Sequence, residues 1–380
     1  MNSGGNKFRF GLIGGGEGSF IGQVHRLAAE MDSQAELVCG AFSSDADRSR
    51  RSGVELYGLP SDRAYPSFTV MLSAEAKLPS NERMQFVVIA TPNHVHYPAA
   101  LAALEAGYHV VCDKPVTFSL AQAQSLRQVI AQTGLQFAVT YNYTGYPMVK
   151  EARALVTSGA LGSIRRVSCE YLQGWLAETL DSKQAAWRTD PQQAGAAGCF
   201  GDIGTHAENL VSYVSGLNIE SLCADLSAFV SGRRLDDDGN VLLRFVGGAR
   251  GVLSTSQVAV GKENDLTIQV YGEKGGLEWK QSDANSLVVR WIDRPSEVRR
   301  TGGPGLSDSA VAAARTPAGH PEGYLEAFAN IYRNFYLALN GRAADLPTIE
   351  DGVRGMRFIE RVVTSSERGA QWVNFESEAS

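Results

Sequence analysis

The sequence predicts an α/β chain in two parts, a doubly wound parallel sheet followed by a mainly antiparallel α+β domain. Three observations carry this. Through about residue 140, short apolar runs alternate with stretches of helical periodicity. A Gly-rich turn, Gly14 to Gly22, closes the first of those runs. After about residue 145 the pattern changes to strands with one polar and one apolar side. With 380 residues the chain exceeds one ordinary core, so two domains are expected, 1–145 and 146–380.

Phe8–Ile13, Glu36–Phe42, Phe86–Ala90, His109–Cys112 and Gln136–Thr140 read as buried strands. Between them, Ile21–Met31, Phe68–Lys77, His94–Ala106 and Ser119–Gln132 carry apolar residues three and four apart, as one helix face requires. Gly107 and Gly134 follow two of these helices, where C-caps are expected. Such alternation makes a parallel sheet covered on both faces, with ligands at the carboxyl ends of its strands.

In Ile164–Leu172 the alternate residues Val167, Cys169 and Tyr171 face one way, and Arg166, Ser168 and Glu170 the other. Further strands are expected near 221–230, 240–246, 251–259, 266–271, 276–280 and 286–292. Asp236-Asp237-Asp238-Gly239 between two of them reads as a tight Asp-Gly turn, because the spaced ligands of a calcium loop are missing. Residues 294–320, rich in Gly, Pro, Ser and Ala, read as a long loop. Tyr324, Phe328, Ile331, Phe335 and Leu339 then mark one helix face, and a last helix is expected near 349–367.

Composition narrows the function classes. The apolar fraction of 44% and charged fraction of 20% are those of a globular protein. A net charge of −6, with arginine pairs scattered at 50–51, 165–166, 233–234 and 299–300, supplies no concentrated basic face for nucleic acid, and these pairs read as solvated. Five cysteines without paired spacing indicate neither a disulfide framework nor a metal site. Met1 to Lys7 has no apolar leader and no transmembrane run follows, so neither export nor a membrane partner is expected, and the cytoplasm is the default.

The turn Gly14-Gly15-Gly16-Glu17-Gly18-Ser19-Phe20-Ile21-Gly22 follows a strand and opens a helix. A dinucleotide fingerprint needs one glycine for the tight turn, a second for close approach of backbone to pyrophosphate, and a third for helix packing. Gly14 and Gly16 fill the first two places. Gly18 falls one residue short of the usual third place and Gly22 three beyond it, so a short insertion with Gly22 as the packing glycine is the preferred reading. The second strand ends in Ser43-Ser44-Asp45 with Arg48 one helical turn on. No carboxylate stands at Ser43 to repel a 2′-phosphate, which favours NADP over NAD; Asp45 or Asp47 within reach of a ribose keeps NAD open.

Further motifs make a family visible. Thr91-Pro92-Asn93-His94-Val95-His96 follows one strand, and Asp113-Lys114-Pro115 the next. Trp187-Arg188 precedes a Gly-rich stretch, and Asp202-Ile203-Gly204-Thr205-His206 opens a helical pattern. In this order, with the Gly turn, the chain resembles the glucose–fructose oxidoreductase/inositol dehydrogenase/MocA family over nearly its whole length. The resemblance implies an NAD(P)-binding Rossmann domain, then a domain on a large open sheet that binds substrate and mediates homodimer or homotetramer formation. It further implies that Lys114, in the family's Glu-Lys-Pro lysine position, lies between nicotinamide and substrate, and that Asp202 and His206 are active-site residues. Asp113 stands where the family more often has Glu.

Chemistry gives these groups roles. An imidazole titrates near neutrality, which suits His206 as the base that takes an alcohol proton. Lys114 can stabilise charge on the reacting oxygen. Asp202, four residues before His206, is expected on the same helix face, orienting the ring or binding a neighbouring hydroxyl. Asn93, Trp187 and Arg188 are candidate contacts for the nicotinamide half and Asn142, after the last strand of the first domain, is a candidate cofactor contact, while His94 and His96 read as the turn and helix start beside the cofactor. Tyr141, Tyr143, His320 and Tyr324 offer the polar and aromatic surface a sugar or polyol needs. Net alcohol oxidation or ketone reduction is the expected activity. A redox glycosidase with tightly held cofactor and a ligand-sensing protein of the same fold are the alternatives.

Overall fold

The computed structural model describes residues 7–376. Of the opening segment Met1 to Lys7, residues 1–6 lie outside the described ones. The chain divides into two compact units, one of residues 1–140 with 328–353, the other of residues 141–327 with 354–380.

The first unit holds strands β1 (Phe8–Gly14), β2 (Ala35–Ala41), β3 (Phe86–Ala90), β4 (His109–Cys112) and β5 (Phe137–Val139). They form a five-stranded sheet in the order β2-β1-β3-β4-β5, every pair parallel. Helices α1 (Phe20–Glu30), α2 (Ala46–Glu55), α3 (Phe68–Glu75), α4 (Asn93–Glu105) and α5 (Leu120–Thr133) connect the strands. The five strands and the helices α1, α3, α4 and α5 fall within a residue or two of their sequence-predicted positions. The central strand β3 is buried throughout, and Phe10 stacks on Phe86 with ring centroids 5.4 Å apart. Full burial of each such ring is worth about 1.5–3 kcal/mol.

Helix α2 escaped the sequence reading because its buried face is made of Ser49, Ser52 and Gly53 and so shows no apolar period. Local hydrogen bonds hold it instead. The Asp45 carboxylate caps its first turn by accepting from the Arg48 amide, and the Ser49 hydroxyl donates to the Tyr65 carbonyl.

The second unit contains α6 (Pro147–Thr157), β6 (Ile164–Leu172), α7 (Lys183–Arg188), α8 (Pro191–Ala194), α9 (Thr205–Ser215), β7 (Ile219–Ser227), β8 (Asp238–Phe245), β9 (Arg250–Ser256), β10 (Asp265–Gly272), β11 (Gly275–Lys280), β12 (Ser286–Trp291) and β13 (Glu297–Arg300). Helix α10 (Asp308–Ala313) follows, then α11 (Tyr324–Leu339), α12 (Ile349–Glu367) and strand β14 (Val373–Asn374). Nine strands form one sheet, ordered β13-β12-β11-β10-β6-β9-β8-β7-β14 and antiparallel except between β6 and β9. As the alternation predicts, β6 buries Val167, Cys169 and Tyr171 and turns Arg166 and Glu170 outward.

Four local expectations are corrected. Asp238 and Gly239 lie inside β8, not in a tight turn, and ten residues connect β7 to β8. Asp236 and Asp237 hold that connection by accepting backbone N–H groups. The segment 294–320 is not one loop, since β13 and α10 form within it. Two arginines read as solvated are engaged: Arg233 pairs with buried Asp237 at 2.9 Å, and Arg299 pairs with buried Glu151. Finally, residues 328–353, expected in the second domain, belong to the first unit. The α11 face is the reason. Phe335 meets Phe86 edge-on at 5.2 Å, the Tyr336 hydroxyl donates to the Ala29 carbonyl, and Arg333 pairs with Asp32 at 2.9 Å. No helix among the described residues is long and apolar enough to cross a membrane.

Candidate active site

Because β1 to β5 run parallel, the turns that follow them share one edge of the sheet. The strand order reverses between β1 and β3, and that switch point is where open α/β sheets bind ligands. The Gly14 turn and the Thr91 turn flank it. Gly14 has φ +89°, and a Cβ there would stand 2.3 Å from the Ala90 carbonyl oxygen. Gly22 lies within α1, where a Cβ would meet the Gly15 Cα at 2.3 Å, so helix and turn touch backbone to backbone. Gly16 donates to the Phe42 carbonyl, the Tyr57 hydroxyl donates to Gly15 O, and the Glu17 amide donates to Ser52 Oγ. Gly18 completes the turn at φ +76° and Ser19 is the N-cap of α1, whose first turn, with exposed Phe20 and half-buried Ile21, has no acidic side chain. Its amides therefore present an anion site.

At the end of β2, Arg48 Nε donates to Ser43 Oγ at 2.9 Å beside exposed Ser44. Asp45 is engaged as the α2 cap, and Asp47 is exposed.

The turn after β3 carries half-buried Thr91 and Pro92 and buried Asn93. His94 is exposed, whereas His96 is buried in α4 with Nδ1 2.7 Å from the Pro115 carbonyl and Nε2 2.9 Å from the Thr91 carbonyl. This imidazole ties the β3 turn to the β4 turn, and burial holds its pKa below the usual histidine value. In the β4 turn Asp113, Lys114 and Pro115 stand side by side. Burial alone would raise the Asp113 carboxyl, but His25, the Thr140 hydroxyl and Lys114 outweigh it and hold the group well below the usual carboxylate range.

In the second unit Asp202 sits in a π-helical turn, Phe200–Gly204, that runs directly into α9, and His206 lies in the first turn of α9. The regular α-helical spacing expected of this pair is thus replaced by a wider turn, a feature that recurs at functional sites. Asp202 Oδ2 accepts from Arg188 Nε at 3.1 Å and from Gln257 Nε2 at 2.9 Å. Arg188 in turn stacks on Trp187, its guanidinium 4.2 Å from the ring centroid. His206 is 7% exposed and caged by aromatic rings, Tyr143 at 4.9 Å, Tyr141 at 5.8 Å and Tyr171 at 6.3 Å between centroids.

The hydroxyls around that cage are held from outside. Tyr141 bonds Thr205 Oγ1 at 2.8 Å; Tyr143 and Tyr171 share a short hydrogen bond; Asn264 accepts from Tyr171 and donates to Tyr143. Burial pushes the Tyr143 pKa up to about 12, so this hydroxyl stays protonated at neutral pH.

Of the other residues singled out in the sequence, Asn142 is buried, Tyr324 heads α11, and His320 is exposed with Nδ1 3.2 Å from Pro317 O in its own loop. Tyr171, Gln257 and Asn264 were missed as site residues. Tyr171 was legible only as a buried strand position, and nothing local distinguishes Gln257 or Asn264.

The residues present fit a dinucleotide. At Gly14 and Gly22 any side chain would collide with neighbouring backbone, so strand, turn and helix pack as closely as a dinucleotide turn requires, and Thr91 Oγ1 is buried with no hydrogen-bond partner among the described residues. The same holds for Asn142 Nδ2 in the second unit. Buried polar atoms in that state are costly unless a ligand or water meets them.

Comparison with known proteins agrees. Residues 8–141 match the family described as oxidoreductase, NAD-binding Rossmann fold, and residues 149–278 match the GFO/IDH/MocA C-terminal domain. An uncharacterized oxidoreductase of Bacillus subtilis, YfiI, is 35% identical over 97% of this chain and 96% of its own length. An oxidoreductase structure from Sinorhizobium meliloti is 45% identical with TM-score 0.88, covering 97% of this chain and 100% of that one. An inositol dehydrogenase homologue of Azotobacter vinelandii, solved with NAD+, is 35% identical with TM-score 0.93 over 97% of both chains. The same homologue was also solved with NADH and myo-inositol. The chain therefore belongs to the Gfo/Idh/MocA family and is an NAD-binding oxidoreductase.

Proposed function

We propose that this protein interconverts a secondary alcohol and a ketone on a cyclic polyol, sugar or sugar derivative. The observation that carries the reading is the polar and aromatic cluster around His206, with Asp202 fixed by Arg188 and Gln257. Rings with firmly held hydroxyls offer both faces that a polyol presents, hydrogen bonds for its oxygens and a flat surface for its carbons. A 35% identical relative solved with NADH and myo-inositol points the same way.

When bound, the nicotinamide supplies the hydride acceptor. The rest falls to side chains. His206 takes the proton from the substrate hydroxyl oxygen as its carbon is oxidised, and returns it in the reverse direction. The Lys114 ammonium donates a hydrogen bond to that oxygen and stabilises the charge developing there. Asp202 receives a neighbouring hydroxyl, its carboxylate held in one orientation by two donors. Tyr141, Tyr143 and Tyr324 bound the substrate, with His320 on the loop before α11. Gly14 to Gly22, Ser43, Ser44, Thr91, Pro92, Asn93 and Pro115 hold the dinucleotide, and Asn142, Trp187 and Arg188 serve its nicotinamide half. Ser43 with Arg48 supports acceptance of the NADP 2′-phosphate. A homodimer or homotetramer built on the nine-stranded sheet is the proposed assembly.

The test is steady-state turnover of Lys114→Ala and His206→Asn on a substrate found by screening polyols and sugars with both nucleotides. Loss of about 10²–10⁴-fold in kcat, with cofactor affinity nearly unchanged, is expected. Near-wild-type turnover in both variants would refute the assigned roles.

A further inference from the structure

His25 has no part in the reaction as proposed, yet it is a fully buried titratable side chain beside the Lys114 turn. It projects from α1, the helix that the glycine turn opens. Its Nδ1 lies 2.7 Å from the Tyr332 hydroxyl and its Nε2 faces Asp113 Oδ1 at 3.5 Å. Edge-on contacts to Phe328 at 5.3 Å and Tyr332 at 6.1 Å fix the ring plane. Nε2 faces a carboxylate oxygen, which only accepts, so the tautomer that suits the site carries its proton on Nε2 and accepts from the Tyr332 hydroxyl at Nδ1.

The 3.5 Å separation is too long for a good hydrogen bond, so the contact is electrostatic; the short bond to the same oxygen comes from Thr140 Oγ1 at 2.5 Å. The Asp113 amide donates to the Ile89 carbonyl at 3.0 Å. Charged and titratable groups around the carboxylate are His25 from α1, Lys114 next in the chain, His96 from α4, Tyr332 from α11 and the Cys112 thiol.

We propose that His25, seated on Tyr332, is a positioning residue that fixes the Asp113 carboxylate and, through the adjoining peptide, the Lys114 ammonium. The inference rests on the role proposed above for Lys114. It also gives a reason for aspartate at position 113: the carboxylate meets a ring that reaches it from α1.

Two substitutions separate reach from packing. In His25→Gln the amide nitrogen can stand near the Nε2 place and keep a donor toward Asp113. In His25→Asn the amide reaches only the Nδ1 place. We expect His25→Asn to lower kcat about tenfold or more, with the Kd for NAD within about twofold, and His25→Gln to recover most of that loss. The Asp113 carboxyl, followed by carbon NMR, should titrate closer to its ordinary value in His25→Asn and remain low in His25→Gln. Equal kcat in all three proteins, or equal losses in both variants with an unmoved Asp113 titration, would overturn the proposal.

Lys114→Ala measured in parallel distinguishes the two claims. If that variant keeps its turnover, the Lys114 role fails, and the Asp113 titration alone decides whether His25 controls the carboxylate. If the His25 variants do not fold, Tyr332→Phe removes a single oxygen and little packing. A fall in its kcat with unchanged Kd for NAD supports the chain, and an unchanged kcat with an unmoved Asp113 titration overturns it.

Discussion

Residue by residue, the groups with chemistry sit where their environment changes their behaviour. His96 is the clearest. Both ring nitrogens face carbonyl oxygens, but a neutral imidazole donates to only one, and burial opposes the protonation that would satisfy both. Its folded pKa is depressed, so the unfolded chain takes up a proton more readily. The stability this contributes is present above the unfolded value, about 6.5, and is lost as pH falls below it. A thermal melt from about pH 7 down to about pH 5 should show a falling Tm, and His96→Gln should flatten that slope; an identical slope in the variant would remove His96 as its cause. Asp113, held low by its partners, acts in the same direction at more acid pH. At the ribose end, Arg48→Ala should lower kcat/KM for NADP by about tenfold and leave NAD within about threefold, as loss of one charge-assisted contact implies. An NAD preference that Arg48→Ala does not alter would refute the phosphate contact.

Lys114, Asp202 and His206 were singled out through the resemblance to the family, on the motifs Asp113-Lys114-Pro115 and Asp202-Ile203-Gly204-Thr205-His206, and not by their local positions alone. Tyr171, Gln257 and Asn264 gain their roles only through partners about 30 to 120 positions away, such as the bond from Asn264 to Tyr143. No local pattern records that.

At the scale of elements, the π-helical turn has its own support. Asp236 accepts from the Gly198 amide at 2.7 Å and the Phe200 amide at 2.8 Å, and its carbonyl accepts from Cys199. Asp236→Ala would leave two backbone donors without an acceptor, costing about 1–3 kcal/mol for each. Because Asp202 rides on the same turn, kcat should fall as well. Asp236→Asn, with one acceptor left, should lose less in both, as read by urea unfolding and turnover. Gly22→Ala tests α1 in the same way. The added Cβ collides with backbone at Gly15, so NAD binding measured by calorimetry should weaken at least tenfold, by the loss of about 1.4 kcal/mol or more. Normal binding would show that helix and turn need not touch.

Element prediction worked where burial has a period and failed where polar contacts replace it. Helix α2 buries serines, and α6 buries Lys150 and Glu151 beside its apolar residues, so neither advertises an apolar face. The Asp236-Asp237-Asp238-Gly239 run carries the composition of a turn. Its first carboxylate instead accepts from distant amides and its second from amides of its own connection, while its last two residues extend β8.

For the whole molecule, the order of motifs along the chain was legible because each lies at a strand end or helix start. What was not legible is that α11 returns to the first unit, since that depends on Phe335 finding Phe86, a partner far back in the chain. The family assignment rests on both halves of the chain. Its central functional claim, reversible oxidation of a cyclic polyol or sugar, is tested most directly by mixing the purified protein with NAD or NADP and a panel of inositols and sugars carrying deuterium at the candidate carbon. Reduced nucleotide bearing that deuterium is expected, formed in step with ketone, at a rate that His206→Asn abolishes. Release of sugar from a glycoside with no net reduced nucleotide, or no transfer from any member of the panel, would contradict it.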